Sequence, residues 1–134
     1  MILVDSSVFV AYIVENDSNH ESAVKVIEKI VKGDFGPVFA SDYIFDETTT
    51  VTLIRSKSIE KAVLAGNYIK NSVEIIKINE DLFEDSWELF KNQKASKFSF
   101  TDCSNLSIMK NKGIKQIATF DGEFKKFGST IIIS

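Results

Sequence analysis

The sequence is poor in four residue types that often define function or shape. It has one cysteine, one proline, one histidine and one arginine among its 134 residues. The single cysteine, Cys103, cannot form an internal disulfide, so we expect a protein of the reducing cytoplasm. His20 falls in the first turn of a predicted helix and is interpreted as an exposed helix residue rather than a catalytic base. The sequence also has no basic leader and no long apolar segment, so we expect neither a secretory signal nor a membrane span.

Charge is unevenly distributed along the chain. The net charge of −3 argues against a protein that coats nucleic acid non-specifically. Residues 1–90 nevertheless hold 8 Lys and Arg against 16 Asp and Glu, whereas residues 91–134 hold 8 Lys against 3 acids. The basic C-terminal third can meet a phosphate backbone locally. A solvated, lysine-rich surface explains the same charge, so both interpretations stay open.

Short apolar runs alternate with helical patterns along the chain. The first run, Met1 to Val4, has no charged side chain and is typical of a strand buried on both faces of a parallel sheet. Four more strands are predicted at residues 37–40, 73–78, 115–119 and 130–133. This alternation indicates an α/β protein, specifically a three-layer α/β/α sandwich with a mostly parallel sheet of about five strands. We expect residues 1–134 to form a single domain.

Three of the predicted helices have distinctive patterns. Ser18 and Glu21 form a Ser-x-x-Glu capping box that is expected to open one helix. The helix after Asn79 is expected to direct its large apolar side chains inward, namely Leu82, Phe83, Trp87, Leu89 and Phe90. The stretch from Val8 to Ile13 is too apolar for a lone exposed helix, so the domain itself or a partner must cover it.

Two acidic residues lie at the carboxyl ends of predicted strands. Asp5 follows the first strand directly, and Asp121 follows the fourth strand in an Asp-Gly turn. In open α/β sheets, ligands bind outside this edge of the sheet. A turn residue is the ordinary interpretation of Asp121, but its place after a buried parallel strand makes it a candidate site residue.

Two further acids occur on the apolar side of predicted helices. Glu47 falls on a stripe of helical spacing with Ile44, Val51 and Ile54. Asp102 begins a second stripe that continues with Leu106 and Met109. A carboxylate on a buried stripe is costly unless something pairs with it. A position at the rim for Glu47, and an N-terminal helix role for Asp102, are the non-functional alternatives.

Convergence of these four acids would require a compensating charge. Two carboxylates about 5 Å apart repel each other by about 3 kcal/mol at an effective dielectric constant near 20. Several such pairs rival the roughly 5–15 kcal/mol stability of a small domain. Convergence therefore implies shifted protonation or a bound cation. An all-oxygen site suits Mg²⁺ or Mn²⁺ rather than zinc, and such a metal supports hydrolysis of phosphodiesters.

The same residues resemble those of a known family, the PIN domain, and in particular small proteins related to VapC toxins. The resemblance is carried by four segments taken in order: VDSS after the first strand, Asp46-Glu47-Thr48, Ser99-Phe100-Thr101-Asp102, and Ala118-Thr119-Phe120-Asp121 with Phe124 after it. It extends over the whole chain. The departures are Gly122 in the last segment and the presence of only one arginine, Arg55, so that gripping of the substrate would fall mainly to lysine.

The resemblance implies a ribonuclease that depends on Mg²⁺ or Mn²⁺. Asp5, Glu47, Asp102 and Asp121 would be the catalytic acids that hold the metal. Ser6 and Thr119 would supply hydroxyls that hold those acids. The resemblance also implies RNA as the substrate, a homodimer, and a small antitoxin protein that occupies the site; a membrane partner is not expected.

Other functions compete with this interpretation. A haloacid-dehalogenase-type phosphatase needs a second Asp two residues after Asp5, where Ser7 stands. A receiver-like signalling domain needs an acidic pair after the first strand and a phosphorylatable Asp after the third, where Ile78 and Asn79 stand. A P-loop enzyme is excluded because no Gly-x-x-x-x-Gly-Lys stretch occurs. A non-catalytic RNA-binding module with the same fold stays open.

Overall fold

The structure is a computed structural model that describes residues 1–127 and the backbone of residues 131–133. Five strands alternate with helices: β1 (Ile2–Val4), α1 (Ser6–Ile13), α2 (His20–Val31), β2 (Val38–Ser41), α3 (Asp42–Ser56), α4 (Ile59–Ser72), β3 (Glu74–Ile76), α5 (Glu80–Lys91), α6 (Phe100–Lys112), β4 (Gln116–Ala118) and β5 (Ile131–Ile133). A 3₁₀ helix, Gly122–Lys126, follows β4. The predicted strands and the predicted α/β class are confirmed, although Thr130, the predicted start of the fifth strand, lies outside the described residues.

The sheet has the strand order β3-β2-β1-β4-β5, and all of its neighbouring pairs are parallel. The chain therefore moves from β1 outward to β2 and β3, and then returns to the other side of β1 to form β4 and β5. Because crossovers between parallel strands are right-handed, α1–α4 cover one face of the sheet and α5–α6 the other. The order reverses between β1 and β4, which makes the carboxyl ends of these two strands the topological switch point.

The hydrophobic core lies on both faces of β1. Ile2, Leu3 and Val4 are fully buried, as expected for a central strand without a charged side chain. Phe9 of α1 packs against one face, and Ile108 of α6 belongs to the same hydrophobic cluster. With apolar side chains on both of its faces, β1 is held rigidly, and the residue that follows it is held with it.

The face of α3 differs from the predicted stripe. Its buried residues are Ile44, Thr48 and Thr52, whereas Ile54 is 68% exposed. The prediction was therefore right at Ile44, but Glu47 and Val51 each lie one residue before the buried positions Thr48 and Thr52. Threonine can bury its methyl group, so the pattern of strongly apolar residues alone did not identify the inner face. Glu47 consequently lies at the rim of the buried surface, partly exposed.

The predicted interior of α5 was also wrong, except at Leu82. Leu82 is buried, but Phe83, Trp87 and Phe90 are 44%, 43% and 39% exposed. Phe83 and Phe90 instead pack their rings against Phe100 at the start of α6, with ring centroids 5.3 and 6.2 Å apart. Aromatic residues on α5 thus form a surface cluster around α6 rather than part of the core.

The predicted capping box at Ser18 and Glu21 was wrong, since α2 begins at His20 and its N-cap residue, Asn19, makes no side-chain capping bond. Asp17 instead accepts the Asn19 N–H at 2.7 Å, which turns the chain before the helix starts. A complete capping box is present at Ser99 and Asp102 of α6.

The apolar helix α1 is covered within the chain. It packs against α2, α3 and α4, and Val8, Phe9, Val10 and Ala11 are buried. Of the two alternatives for the Val8–Ile13 stretch, cover by the domain itself is therefore confirmed. Within the described ranges, none of the helices is both long and apolar enough to cross a membrane.

Candidate acidic active site

Asp5 lies at the switch point of the sheet. Its N–H donates to the Ala118 carbonyl at 2.9 Å, which extends the pairing of β1 with β4 by one residue. Its carboxylate is 3% exposed and accepts three hydrogen bonds: from Thr119 Oγ1 at 2.8 Å, from Ser7 Oγ at 3.0 Å and from Asn105 Nδ2 at 3.3 Å. Burial raises the pKa of Asp5, the hydroxyl donors of Thr119 and Ser7 lower it, and the charge of Glu47 raises it further; the net direction is upward. The site thus holds a buried carboxylate whose ionisation is opposed by its surroundings.

Glu47 reaches this region from α3. The Ser6 hydroxyl, at the start of α1, donates a hydrogen bond to Glu47 Oε1. Because Ser6 follows Asp5 directly, this contact ties the Glu47 carboxylate to the end of β1. Ser6 therefore orients Glu47, whereas Thr119 and Ser7 orient Asp5.

Asp102 faces the same region from the opposite layer. Its Oδ2 accepts the Ser99 N–H at 3.0 Å, and its own N–H donates to Ser99 Oγ at 3.1 Å, so it is part of the capping box of α6. It is 9% exposed. Burial, followed by the negative charge of Asp5 and a smaller contribution from Asp121, raises the pKa of Asp102 to about 6. Asp102 therefore has a helix-capping role and is also electrostatically coupled to two other candidate acids.

Asp121 follows β4 and caps the 3₁₀ helix. Its Oδ1 accepts the Glu123 N–H at 2.9 Å, and its N–H donates to Thr119 Oγ1 at 3.0 Å. Thr119 thus contacts Asp5 with its hydroxyl hydrogen and Asp121 with its hydroxyl oxygen. Phe124, the aromatic residue of the last segment, is fully buried beneath this turn.

The four predicted acids therefore line one edge of the sheet and influence one another in pairs. Among the residues that the structure describes, however, no three Asp, Glu, His or Cys side chains lie close enough together to hold a metal ion jointly. Mg²⁺ keeps several of its waters and is usually bound through one or two carboxylates plus substrate oxygens. The donor set, the mutual repulsion of the acids and the raised pKa of Asp102 fit such an ion.

Two residues at this site were not among the predicted site residues. Ser7 donates to Asp5 and accepts the Phe120 N–H at 3.1 Å, linking the ends of β1 and β4. Asn105 is fully buried, donates to Asp5, and leaves its Oδ1 without a partner among the described residues. The spacing of Asn105 three residues after Asp102 places both on one face of α6, and that spacing could have identified it.

The histidine and the cysteine have structural roles. His20 Nδ1 is hydrogen-bonded to the Ala11 carbonyl at 2.7 Å, which ties α2 to α1. The residue is therefore half-buried rather than the exposed helix residue that was predicted. Cys103 is 1% exposed, and burial together with the charge of Asp102 raises the pKa of its thiol to about 11. Its interpretation as a core residue rather than a nucleophile agrees with this environment.

Curated relatives of the chain are ribonucleases. It is 28% identical over 130 residues to the 23S rRNA-specific endonuclease VapC20 of Mycobacterium tuberculosis, covering 96% of this chain and 95% of the relative. It is 26% identical over 124 residues to a VapC ribonuclease of Archaeoglobus fulgidus, covering 91% and 78%.

The fold agrees with solved structures of such proteins. The crystal structure of M. tuberculosis VapC20, described as a sarcin-ricin loop cleaving toxin, superposes with a TM-score of 0.84 at 27% identity, over 96% of this chain and 95% of that one. VapBC2 from Rickettsia felis, bound to a promoter DNA fragment, has a TM-score of 0.72 at 18% identity, over 98% and 97%. The sequence model of the PIN domain family matches residues 2–129, and the chain therefore belongs to the PIN domain family.

Proposed function

We propose that this chain is an endoribonuclease that hydrolyses RNA phosphodiester bonds at the acidic site, with Mg²⁺ or Mn²⁺ as its cofactor. PIN-domain nucleases as a class depend on divalent metal ions. The observation that carries the proposal is the environment of Asp102, whose pKa is raised to about 6 by burial and by the charges of Asp5 and Asp121. Acids that repel one another at a ligand-binding edge are stabilised by a bound cation.

In this proposal the acidic site of Asp5, Glu47, Asp102 and Asp121 would hold the metal, with one or two of these carboxylates as its direct ligands. A bound divalent ion would supply an activated water and neutralise charge on the phosphodiester. The chain's own residues prepare the site for it: Thr119 and Ser7 fix the Asp5 carboxylate, and Ser6 fixes that of Glu47. Hydrogen-bonding partners of this kind orient ligands and tune their basicity.

Cleavage assays test this function. A structured RNA is incubated with the protein in Mg²⁺, in Mn²⁺ and in EDTA, and Asp102→Asn is assayed in parallel. We expect cleavage with either metal, none in EDTA and at least a hundredfold loss in the variant, because a metal-holding charge is removed. Cleavage that persists in EDTA and in Asp102→Asn would refute the metal assignment.

A non-catalytic RNA-binding module is the second candidate, favoured by the basic C-terminal third of the chain. It predicts RNA binding without cleavage under all metal conditions, so the same assay separates the two candidates. A receiver-like signalling domain is incompatible with membership of the PIN family.

We further propose that the protein acts in the cytoplasm as the toxin of a toxin–antitoxin pair, as a homodimer that a small antitoxin inhibits. Support comes from the two relatives named VapC and from the apolar surface of α3 and α4, where Ile54, Ile59 and Leu64 are 68%, 64% and 58% exposed. The single cysteine, buried and unpaired, suits a reducing compartment. Light scattering at micromolar concentration should give twice the chain mass, and expression in a bacterial host should arrest growth. A monomer without toxicity would contradict both parts.

A further inference from the structure

The single arginine of the chain lies beside the acidic site. Arg55 follows Glu47 by eight residues on α3 and shares its side of the helix with Val51, four residues before it. Eight residues of α-helix span about 12 Å, so Arg55 lies roughly that far from Glu47 along the helix axis. Its side chain is 42% exposed. The guanidinium is therefore near the proposed catalytic centre and open to a ligand.

Asp17 fixes the position of this arginine. Arg55 Nη1 donates to Asp17 Oδ2 at 2.6 Å, and the other Asp17 oxygen accepts the Asn19 N–H at 2.7 Å. The Asp17 side chain is only 10% exposed. Partial burial raises the pKa of Asp17, but the hydrogen bonds from Asn19 and Arg55 more than offset this, so its pKa lies below the ordinary value. An ionised, well-held carboxylate thus anchors one side of the guanidinium.

Arg55 lines a pocket that it shares with residues of the proposed active site. A guanidinium has five N–H donors in a fixed plane. Within the part of the chain that is described, Asp17 is the one hydrogen-bond partner of that group. The pocket has a volume of about 340 Å³, and its lining includes Ser6, Glu47, Asp17, Asn19 and Arg55.

We infer that Arg55 binds a backbone phosphate of the RNA next to the one that is cut, and that Asp17 is its positioning residue. The inference rests on the proposed function. An RNA backbone must approach several carboxylates, and the planar fork of arginine offers paired hydrogen bonds to phosphate oxygens that lysine cannot. The backbone positions of Arg55 and Glu47 are about 12 Å apart along the axis of α3, so we assign Arg55 to a flanking phosphate rather than to the reacting one. Substrate gripping is then not left to lysine alone.

Salt-dependent RNA binding tests this role without relying on cleavage. All proteins carry Asp102→Asn so that the RNA stays intact, and binding of a fluorescent RNA hairpin is measured by anisotropy across a salt series. Arg55→Ala should weaken binding about tenfold, since a charge-assisted hydrogen bond is lost. It should also reduce the slope of log K against log salt by about 0.7–0.9, the value for one phosphate contact. Arg55→Lys should bind more weakly than the parent but keep its slope, because the charge remains.

Lys29→Ala is the matched control, since it removes one exposed positive charge from the last turn of α2. It should leave both the affinity and the slope unchanged. If Arg55→Ala misfolds by circular dichroism, Arg55→Lys and Arg55→Gln decide: the slope must persist in the first and fall in the second. A slope that is the same in Arg55→Ala and Arg55→Gln as in the parent overturns the inference, including the case in which Arg55 binds a protein partner instead.

The outcomes separate this inference from the proposed function. RNA cleavage by the wild-type protein together with an unaffected slope refutes the role of Arg55 alone. A reduced slope in Arg55→Ala, together with no RNA cleavage by the wild-type protein in Mg²⁺ or Mn²⁺, refutes the nuclease and leaves Arg55 as a contact to an RNA phosphate. No measurable RNA binding by the parent protein refutes both.

Discussion

Replacing Asp102 by Asn is expected to stabilise the metal-free protein while it abolishes cleavage. The pKa of Asp102 rises from 3.8 to about 6 in the folded state, through burial and then through the charges of Asp5 and Asp121. A shift of that size corresponds to at most about 3 kcal/mol of unfavourable free energy for the ionised, folded form. Asn removes the charge, and its side-chain oxygen can still accept the Ser99 N–H that closes the capping box.

The pH dependence gives the sign of this effect. A folded-state pKa above the unfolded value means that the folded protein binds the proton more tightly, so stability falls as pH rises from about 4 to about 6 and stays low above that. Asn at position 102 cannot ionise. Its advantage over the wild type should therefore be fully present at pH 7.5, fall to about one third by pH 4.5, and vanish at lower pH.

Thermal unfolding followed by circular dichroism in EDTA measures this difference. At pH 7.5, Asp102→Asn should raise Tm by about 3–10 °C for a domain of this size. Asp81→Asn is the control, because Asp81 is an exposed acid in the first turn of α5. Its loss should cost up to about 1 kcal/mol through the helix dipole, the opposite sign. A lower Tm for Asp102→Asn at pH 7.5, or a gain of equal size at pH 4.5, would refute the electrostatic reasoning.

Three further changes follow from other contacts. Thr119→Val removes the 2.8 Å hydrogen bond to Asp5 from a fully buried site; urea unfolding should show a loss of about 1–3 kcal/mol, and the acidic limb of the pH–rate profile should move to higher pH, whereas an unchanged profile would contradict this role. Gly66→Val should destabilise by about 1–3 kcal/mol, because a Cβ there already meets Thr49 Cγ2 at 3.1 Å and the Phe45 ring at 3.3 Å; equal stability in the same assay would count against close packing of α3 on α4. Cys103, with a pKa of about 11 and 1% exposure, should react with a disulfide reagent only after unfolding; rapid labelling of the native protein would show that α6 opens.

The succession of strands and helices along the chain was predictable because the strands have strong local signals in the sequence. The run Ile2–Val4 contains no polar side chain, and residues 115–119 are bounded by a helix-ending glycine and an Asp-Gly turn. Gly113 indeed ends α6 with a φ of 69°, a conformation that suits glycine. Signals of this kind act within a few residues, and they are enough to predict the alternation of strands and helices and hence a parallel sheet.

The inward faces of two helices were not predictable in the same way, because burial depends on what packs against them. On α3, Thr48 and Thr52 are fully buried although a hydropathy pattern ranks them below Val51 and Ile54. On α5, Phe83 and Phe90 find aromatic partners at the start of α6, a contact between separate segments of the chain. Tertiary packing determined which residues are buried in both helices, and the hydrophobic periodicity of one segment contains no information about such packing.

The candidate site was only partly predictable for a related reason. Strand ends and helix faces identified its acids one by one, but the contacts that join them lie far apart in sequence. Asn105 and Thr119 reach Asp5 across 100 and 114 residues. Only the return of the chain to the other side of β1 brings β4 and α6 to that strand. The order of the sheet therefore builds the site, and this order is a property of the whole chain.

The alternatives for Asp102 were helix capping and metal binding, and those for Asp121 were a turn residue and a metal ligand. In this geometry the structural role and the ligand role of each residue are compatible. Capping uses one carboxylate oxygen of each residue, Oδ2 of Asp102 and Oδ1 of Asp121. The second oxygen of each side chain remains for a ligand, and the capping bond fixes its direction. In the proposed metal site, a capping acid would thus be a pre-oriented ligand. It follows that Asn, which keeps the cap and removes the charge, separates the two roles at either position, whereas Ala would remove both at once.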